Sequence, residues 1–122
     1  PIASEPEIVV AMNQPSMLRF AGTVSEGGFL FINSSLITDR PSRVGIEVIE
    51  VPATQLAEEI GNSRAANMVM LGAVVGRYNI VAPESLHLAV EKMFASKPKL
   101  INVNREAFDR GLAFIRGSEG KR

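Results

Sequence analysis

Two apolar runs near the start of the chain each end in uncharged hydrogen-bonding residues. EIVVAM at 7–12 leads into Asn13 and Gln14, and FLFI at 29–32 leads into Asn33, Ser34 and Ser35. Such side chains can hold an amide, a hydroxyl or a phosphate, but none is a natural general base or metal ligand. If the two runs are neighbouring parallel strands, all five converge on one rim. Open α/β sheets bind ligands there, outside the carboxyl ends of their strands. The plainer alternative is that Asn13 and Ser34 cap helices or satisfy turns. Either way the rim reads as a binding edge, and no catalytic residue is assigned.

Other chemistry is sparse. His87 stands beside Glu91 at i+4, off the apolar stripe of its helix, so it reads as solvated. A lone His without a partner at recognisable spacing is poor ground for catalysis. Glu58 and Glu59 read as an exposed helix face, and Asp39-Arg40 as an ion pair in a loop. Gly27-Gly28 precedes a strand, the wrong context for a dinucleotide or P-loop motif. The chain has no cysteine, which excludes thiolate zinc sites and cysteine-ligated iron–sulfur clusters within it. That fits a reducing cytoplasm. Basic and acidic residues number 13 each, so no net field draws nucleic acid or an anionic membrane. No metal site is assigned.

The stretch GNSRAANMVMLGAVVG at 61–76 is the other unusual feature. Its apolar run, 68–75, is far shorter than the roughly 20 residues a membrane span needs. Gly72 and Gly76, four apart, share one helix side where another backbone can approach closely. Asn67 sits among apolar neighbours and is expected to be a buried amide paired with a backbone carbonyl. Asn62 or Ser63 is expected to cap this helix.

The elements that must position these residues follow from local patterns. Continuous apolarity at 7–12 and 29–32 suggests strands covered on both faces. With Pro15 opening a short helix between them, they form a βαβ unit. A third, less covered strand spans 45–51, since Glu47 and Glu50 face opposite sides. Helices are expected over 53–60, closed by Gly61 in the left-handed conformation, and over 64–78. A helix starting near Pro83 should bury Leu86, Ala89, Val90, Met93 and Phe94, and a last one, capped by Asn104, should bury Phe108, Leu112 and Ile115. The expected fold is α/β: a three-layer α/β/α arrangement with a mostly parallel sheet, as one domain over 1–117 with a tail at 118–122. Three strands are few for so many helices, so a fuller sheet would need strands from upstream or from another chain.

Several stretches together resemble a known family. IVVAMNQPSMLRF, GGFLFINSSLI, IEVIEVPATQLAEEIGNSRAANMVMLGAVVG and NVNREAFDRG are similar, in this order, to the gamma subunit of 2-oxoacid:ferredoxin oxidoreductases. The resemblance runs from about residue 7 to residue 111. The family's upstream half, with its G-x-G-G-Q-G segment, has no counterpart here, so the chain resembles the carboxyl-terminal part of the gamma domain. The resemblance implies CoA-dependent oxidative decarboxylation of a 2-oxoacid by a complex. Thiamine diphosphate, Mg and the iron–sulfur clusters would sit in alpha- and beta-type partners, and in a delta-type ferredoxin-like one where present. This chain would be a cytoplasmic, non-catalytic subunit. Asn13, Gln14, Asn33, Ser34 and Ser35 match the family's N-Q and N-S stretches and are the implied contacts to CoA or the alpha-type subunit. Asn62, Arg64, Asn67, Gly72 and Gly76 would organise the helix junction or a subunit interface, a homodimer included. The alternatives are a free-standing small-molecule or nucleotide-binding domain and a structural dimerisation module.

Overall fold

The three apolar runs form three parallel strands. A computed structural model describes residues 7–78 and 82–120. It contains β1 (Ile8–Ala11), β2 (Phe29–Asn33) and β3 (Glu47–Val51) in the order β1-β2-β3, with Ala11 opposite Ile32 and Asn33 opposite Val51. Between β1 and β2 lies α1 (Gln14–Phe20), continued by a 3-10 turn. Beyond β3 the chain is helical: α2 (Ala53–Glu59), α3 (Ala66–Tyr78), α4 (Pro83–Met93) and α5 (Ile101–Gly120). The chain divides into two compact units, one ending at Pro52 and the other beginning at Ala53. Of the residues read as a tail, 118–120 continue the α5 backbone and 121–122 lie outside the described residues.

In the first unit, Ala11, Met17, Ala21, Val24, Leu30, Ile32 and Ile37 form one core cluster, with Val9, Ile46 and Val48 against it. The central strand β2 is buried along nearly its whole length, as its unbroken apolarity requires. The edge strand β1 is not covered on both faces as its composition suggested. Ile8 and Val10 are 36% and 39% exposed, while Ala11, on the α1 side, is buried. Continuous apolarity cannot tell an edge strand from a central one.

In the second unit α3 and α5 make the most extensive pairing. Gly72 and Gly76 turn toward α5. A Cβ on Gly72 would overlap the Phe108 carbonyl oxygen and lie 3.0 Å from the Leu112 nitrogen, and one on Gly111 would overlap the Val69 carbonyl reciprocally. The two helices therefore touch backbone to backbone through glycine on each side. A Cβ on Gly76 would press on side-chain ends, Ile115 Cγ2 at 2.6 Å and Leu112 Cδ1 at 2.9 Å, with the Leu112 carbonyl oxygen at an ordinary contact distance of 3.4 Å. Phe108, Leu112 and Ile115 are buried, as their helical spacing predicts.

Gly61, at φ +87°, closes α2, and the Asn62 N–H reaches back to the Ala57 carbonyl at 3.0 Å. The next turn, Ser63–Ala65, is capped by Asn62, whose Oδ1 accepts from the Arg64 N–H at 3.0 Å.

Four expectations need correction. Asn104 does not cap the last helix. Helical structure begins earlier, at the 3-10 turn Pro98–Leu100, and Asn104 lies inside α5, donating from Nδ2 to the Leu100 carbonyl at 2.8 Å. Asn67 is exposed, on the side of α3 away from α5, and so needs no internal carbonyl. His87 is not solvated: its Nε2 lies 2.7 Å from Asp109 Oδ1 and its ring packs edge-on against Phe108 at 5.8 Å. On α4 Val90 is buried but Met93 is 62% exposed, so the apolar stripe is narrower than its spacing implied. Arg105 pairs with Glu91 at 3.2 Å and Arg110 with Glu59, fastening α5 to α4 and α2.

Candidate binding rim

Parallel pairing puts the carboxyl ends of β1 and β2 side by side, and the residues after each strand close over that end. Asn13 adopts an extended backbone, and its Oδ1 accepts from the Ser16 N–H at 2.9 Å, capping α1. Pro15, in the first turn of α1, gives up an N–H that would have no helical partner. Gln14 points its Nε2 at Asp39 Oδ2, 2.6 Å away. The Gln14 Oε1 is buried with no hydrogen-bond partner among the described residues.

Asn33 is the anchor. It is fully buried; its Nδ2 donates to the Met12 carbonyl at 3.1 Å and its Oδ1 accepts from the Ser35 N–H at 3.3 Å. Its own carbonyl accepts from the N–H groups of Leu36 and Ile37 at 3.1 and 3.0 Å. The Ser34 N–H bonds to the Val51 carbonyl at 3.0 Å, carrying the stitch across to β3. One buried amide thus ties the ends of two strands to the loop after β2. Asn13 and Ser35 are exposed, and Gln14 and Ser34 half-buried. The five residues do gather at one end of the sheet, but Asn33 presents no surface there.

Sequence patterns alone missed the residues that hold the following loop. Asp39 is engaged by Gln14, not by Arg40. The Arg40 Nε donates to Glu50 Oε2 on β3 at 2.8 Å, and its Nη1 donates to the carbonyls of Ile37 and Asp39. Arg43 donates to the carbonyls of Ala21 and Val24, which open and follow the 3-10 turn after α1. A shallow cavity of about 500 Å3 lies alongside, lined in part by Leu18, Gly22, Asp39, Ser42 and Arg43.

The hydrogen bond from Arg40, helped by its charge, holds the Glu50 carboxyl below its ordinary value of 4.5. A carboxylate whose pKa is lowered by folding adds stability above its unfolded value and loses it as pH falls through the folded one. Both side chains are more than a third exposed, so solvent leaves the pair worth under about 1 kcal/mol. Glu50→Gln is expected to cost less than that at neutral pH. The loss should fade as the pH falls below the ordinary carboxyl value of 4.5, and in about 1 M salt. Urea titrations across that range check this, and an unvarying loss would point away from the ion pair.

No group of three or more His, Cys, Asp or Glu side chains suited to a metal occurs among the described residues, and no described helix is long and apolar enough to cross a membrane. The rim holds hydrogen-bonding groups and, within it, neither a histidine nor an activated hydroxyl. Parallel strands joined through a helix, with polar residues at their carboxyl ends, define an open α/β domain, a class in which ligands bind outside the carboxyl ends of the strands.

Comparison with known proteins gives that class its family. The family model for pyruvate ferredoxin/flavodoxin oxidoreductase matches residues 1–114, and the chain belongs to this family. Ketoisovalerate oxidoreductase subunit VorA of Methanothermobacter marburgensis is 34% identical over 117 residues, 95% of this chain and 24% of VorA. The 2-oxoglutarate synthase subunit KorC of Methanothermobacter thermautotrophicus is 30% identical over 128 residues, which take in the whole chain and 66% of KorC. The keto/oxoacid ferredoxin oxidoreductase gamma subunit of Geobacter sulfurreducens superposes with a TM-score of 0.78 at 26% identity, over 90% of this chain and 64% of that one. The 2-oxoglutarate:ferredoxin oxidoreductase of Magnetococcus marinus, with 2-oxoglutarate, coenzyme A and succinyl-CoA bound, has a TM-score of 0.78 at 25% identity, over 90% of this chain and 20% of that one. The chain therefore spans about a quarter of VorA and about two thirds of KorC.

Proposed function

We propose that the chain serves as a gamma-type, non-catalytic part of a thiamine-diphosphate-dependent 2-oxoacid:ferredoxin oxidoreductase. In this reading it packs on alpha- and beta-type subunits in the cytoplasm. Those subunits hold thiamine diphosphate, Mg and the iron–sulfur clusters, and this chain helps enclose CoA. Residues 1–117 act as its working domain. The observation that carries the reading is the superposition on a gamma subunit over 90% of the chain.

The rim suits CoA in a specific way. The pantetheine arm of CoA bears amide N–H and C=O groups, which the uncharged amides and hydroxyls of the rim can meet as hydrogen-bond partners. Asn13, Ser34 and Ser35 reach the surface of the rim, while Asn33 shapes it from beneath. Exposed Ile8 and Val10 on β1, and Asn67 and Leu71 on the outer side of α3, offer surface for partner subunits.

The chain alone, supplied with thiamine diphosphate, CoA and a 2-oxoacid, is expected to release no CO2 and reduce no ferredoxin. Turnover under those conditions would overturn the non-catalytic reading. In the assembled complex, Asn13→Ala and Ser35→Ala are expected to raise the KM for CoA severalfold and leave kcat in place. An unchanged CoA requirement in both variants would remove the rim from CoA binding.

A further inference from the structure

A second site lies in the helical unit and shares no residue with the rim. A cavity of about 390 Å3 opens where α3 and α5 begin, lined by Asn62, Arg64, Ala65, Phe94, Leu100 and Asn104. That volume falls at the small end of ligand sites, which span roughly 300–1,000 Å3.

The polar lining is only partly satisfied. Asn104 is 8% exposed, and its Nδ2 donates to the Leu100 carbonyl. A carbonyl on that side fixes the amide's orientation, so Oδ1 remains as an acceptor at the cavity without a partner among the described residues. Asn62 uses its Oδ1 on the Arg64 N–H, which leaves its Nδ2 as a donor. The exposed Arg64 guanidinium has no carboxylate partner among the described residues. Neither α3 nor α5 has an acidic residue in its first turn, so the positive ends of both helix dipoles stand uncompensated. Half-buried Phe94 and Leu100 supply an apolar wall.

These features specify an occupant: a negative charge for Arg64, a hydrogen-bond donor for Asn104 Oδ1 and an apolar group for Phe94 and Leu100. We propose that the cavity binds a compact organic carboxylate that carries an N–H or O–H donor beside the carboxylate and an apolar substituent. A free apolar α-amino acid and the carboxyl-terminal residue of a polypeptide share this chemistry. The site stands independently of the rim and of CoA.

Titration of the isotope-labelled full chain with N-acetyl-L-phenylalanine, followed by amide chemical shifts, tests the assignment. Saturable shifts are expected at residues 62–65 and 100–104. N-acetyl-L-phenylalaninamide, which lacks the charge, and 3-phenylpropionate, which lacks the donor, should each bind about tenfold more weakly. Arg64→Gln, at an exposed position, should fold normally and weaken N-acetyl-L-phenylalanine by a similar factor. Comparison of L-phenylalanine with Gly-Gly-Gly-Phe separates the sources, since the tighter of the two identifies a free amino acid or a chain terminus. No saturable shift at millimolar probe, or equal binding by the uncharged amide or by the Arg64→Gln chain, would overturn the proposal.

Discussion

Gly72→Ala is expected to lose on the order of 3 kcal/mol of folding stability, although alanine is the better helix former by about 1 kcal/mol. The added methyl meets the Phe108 carbonyl and the Leu112 nitrogen, which are backbone atoms of α5 and cannot rotate away. α3 and α5 must then separate, and the pairing that buries Phe108, Leu112 and Ile115 loosens along its length. Gly111→Ala, which strikes the Val69 carbonyl from the other helix, should do the same. Gly117→Ala is the internal control. It lies in the same helix α5 with nothing within 4 Å of a Cβ, so helix propensity acts alone and the variant should gain about 0.5–1 kcal/mol. Urea denaturation of the three variants gives the comparison. If Gly72→Ala matched Gly117→Ala, backbone contact between α3 and α5 would be refuted.

Asn33→Ala carries the second large effect, about 2–4 kcal/mol. The substitution takes the fully buried amide away from the Met12 carbonyl and the Ser35 N–H, and leaves a small cavity as well. Asn33→Asp should be worse at neutral pH, because a buried carboxylate would face the Met12 carbonyl. Its deficit should shrink as pH falls, since the protonated acid regains a donor. Asn13→Ala removes only an exposed helix cap and should cost about 1 kcal/mol. Thermal melts of the four proteins from pH 5 to pH 8 would separate these cases. Equal losses at positions 13 and 33 would mean that the buried amide does not anchor the rim.

Much of this architecture was legible in the residues themselves. Runs of β-branched and aromatic residues located the strands, Pro15 and Pro83 marked helix starts, and Gly61 and Asn62 marked a helix end and the next cap. Each of these signals acts within a few residues of its effect. What escaped depends on partners far along the chain. Arg40 finds Glu50 rather than its neighbour Asp39, and His87 finds Asp109, 22 residues away. The role of Asn33 was half visible: its place after β2 put it at the rim, but only the strand pairing reveals that it turns inward to Met12. Two misreadings had usable local signals. Pro98 announces a helical start ahead of Asn104. Asn67 lies about 140° around α3 from Gly72, which a helical projection places away from the packed side.

The two margins of the sheet are dressed differently. Along β3, the Arg40–Glu50 pair sets charge and an anchored loop beside the strand. Along β1, Ile8 and Val10 leave apolar surface next to backbone that pairs with β2 on one side only. A bare apolar margin accepts another strand, whereas a charged one repels it. Strand addition to this sheet is consequently expected at β1 rather than at β3. A partner that covered β1 would by the same asymmetry guard the chain against self-association.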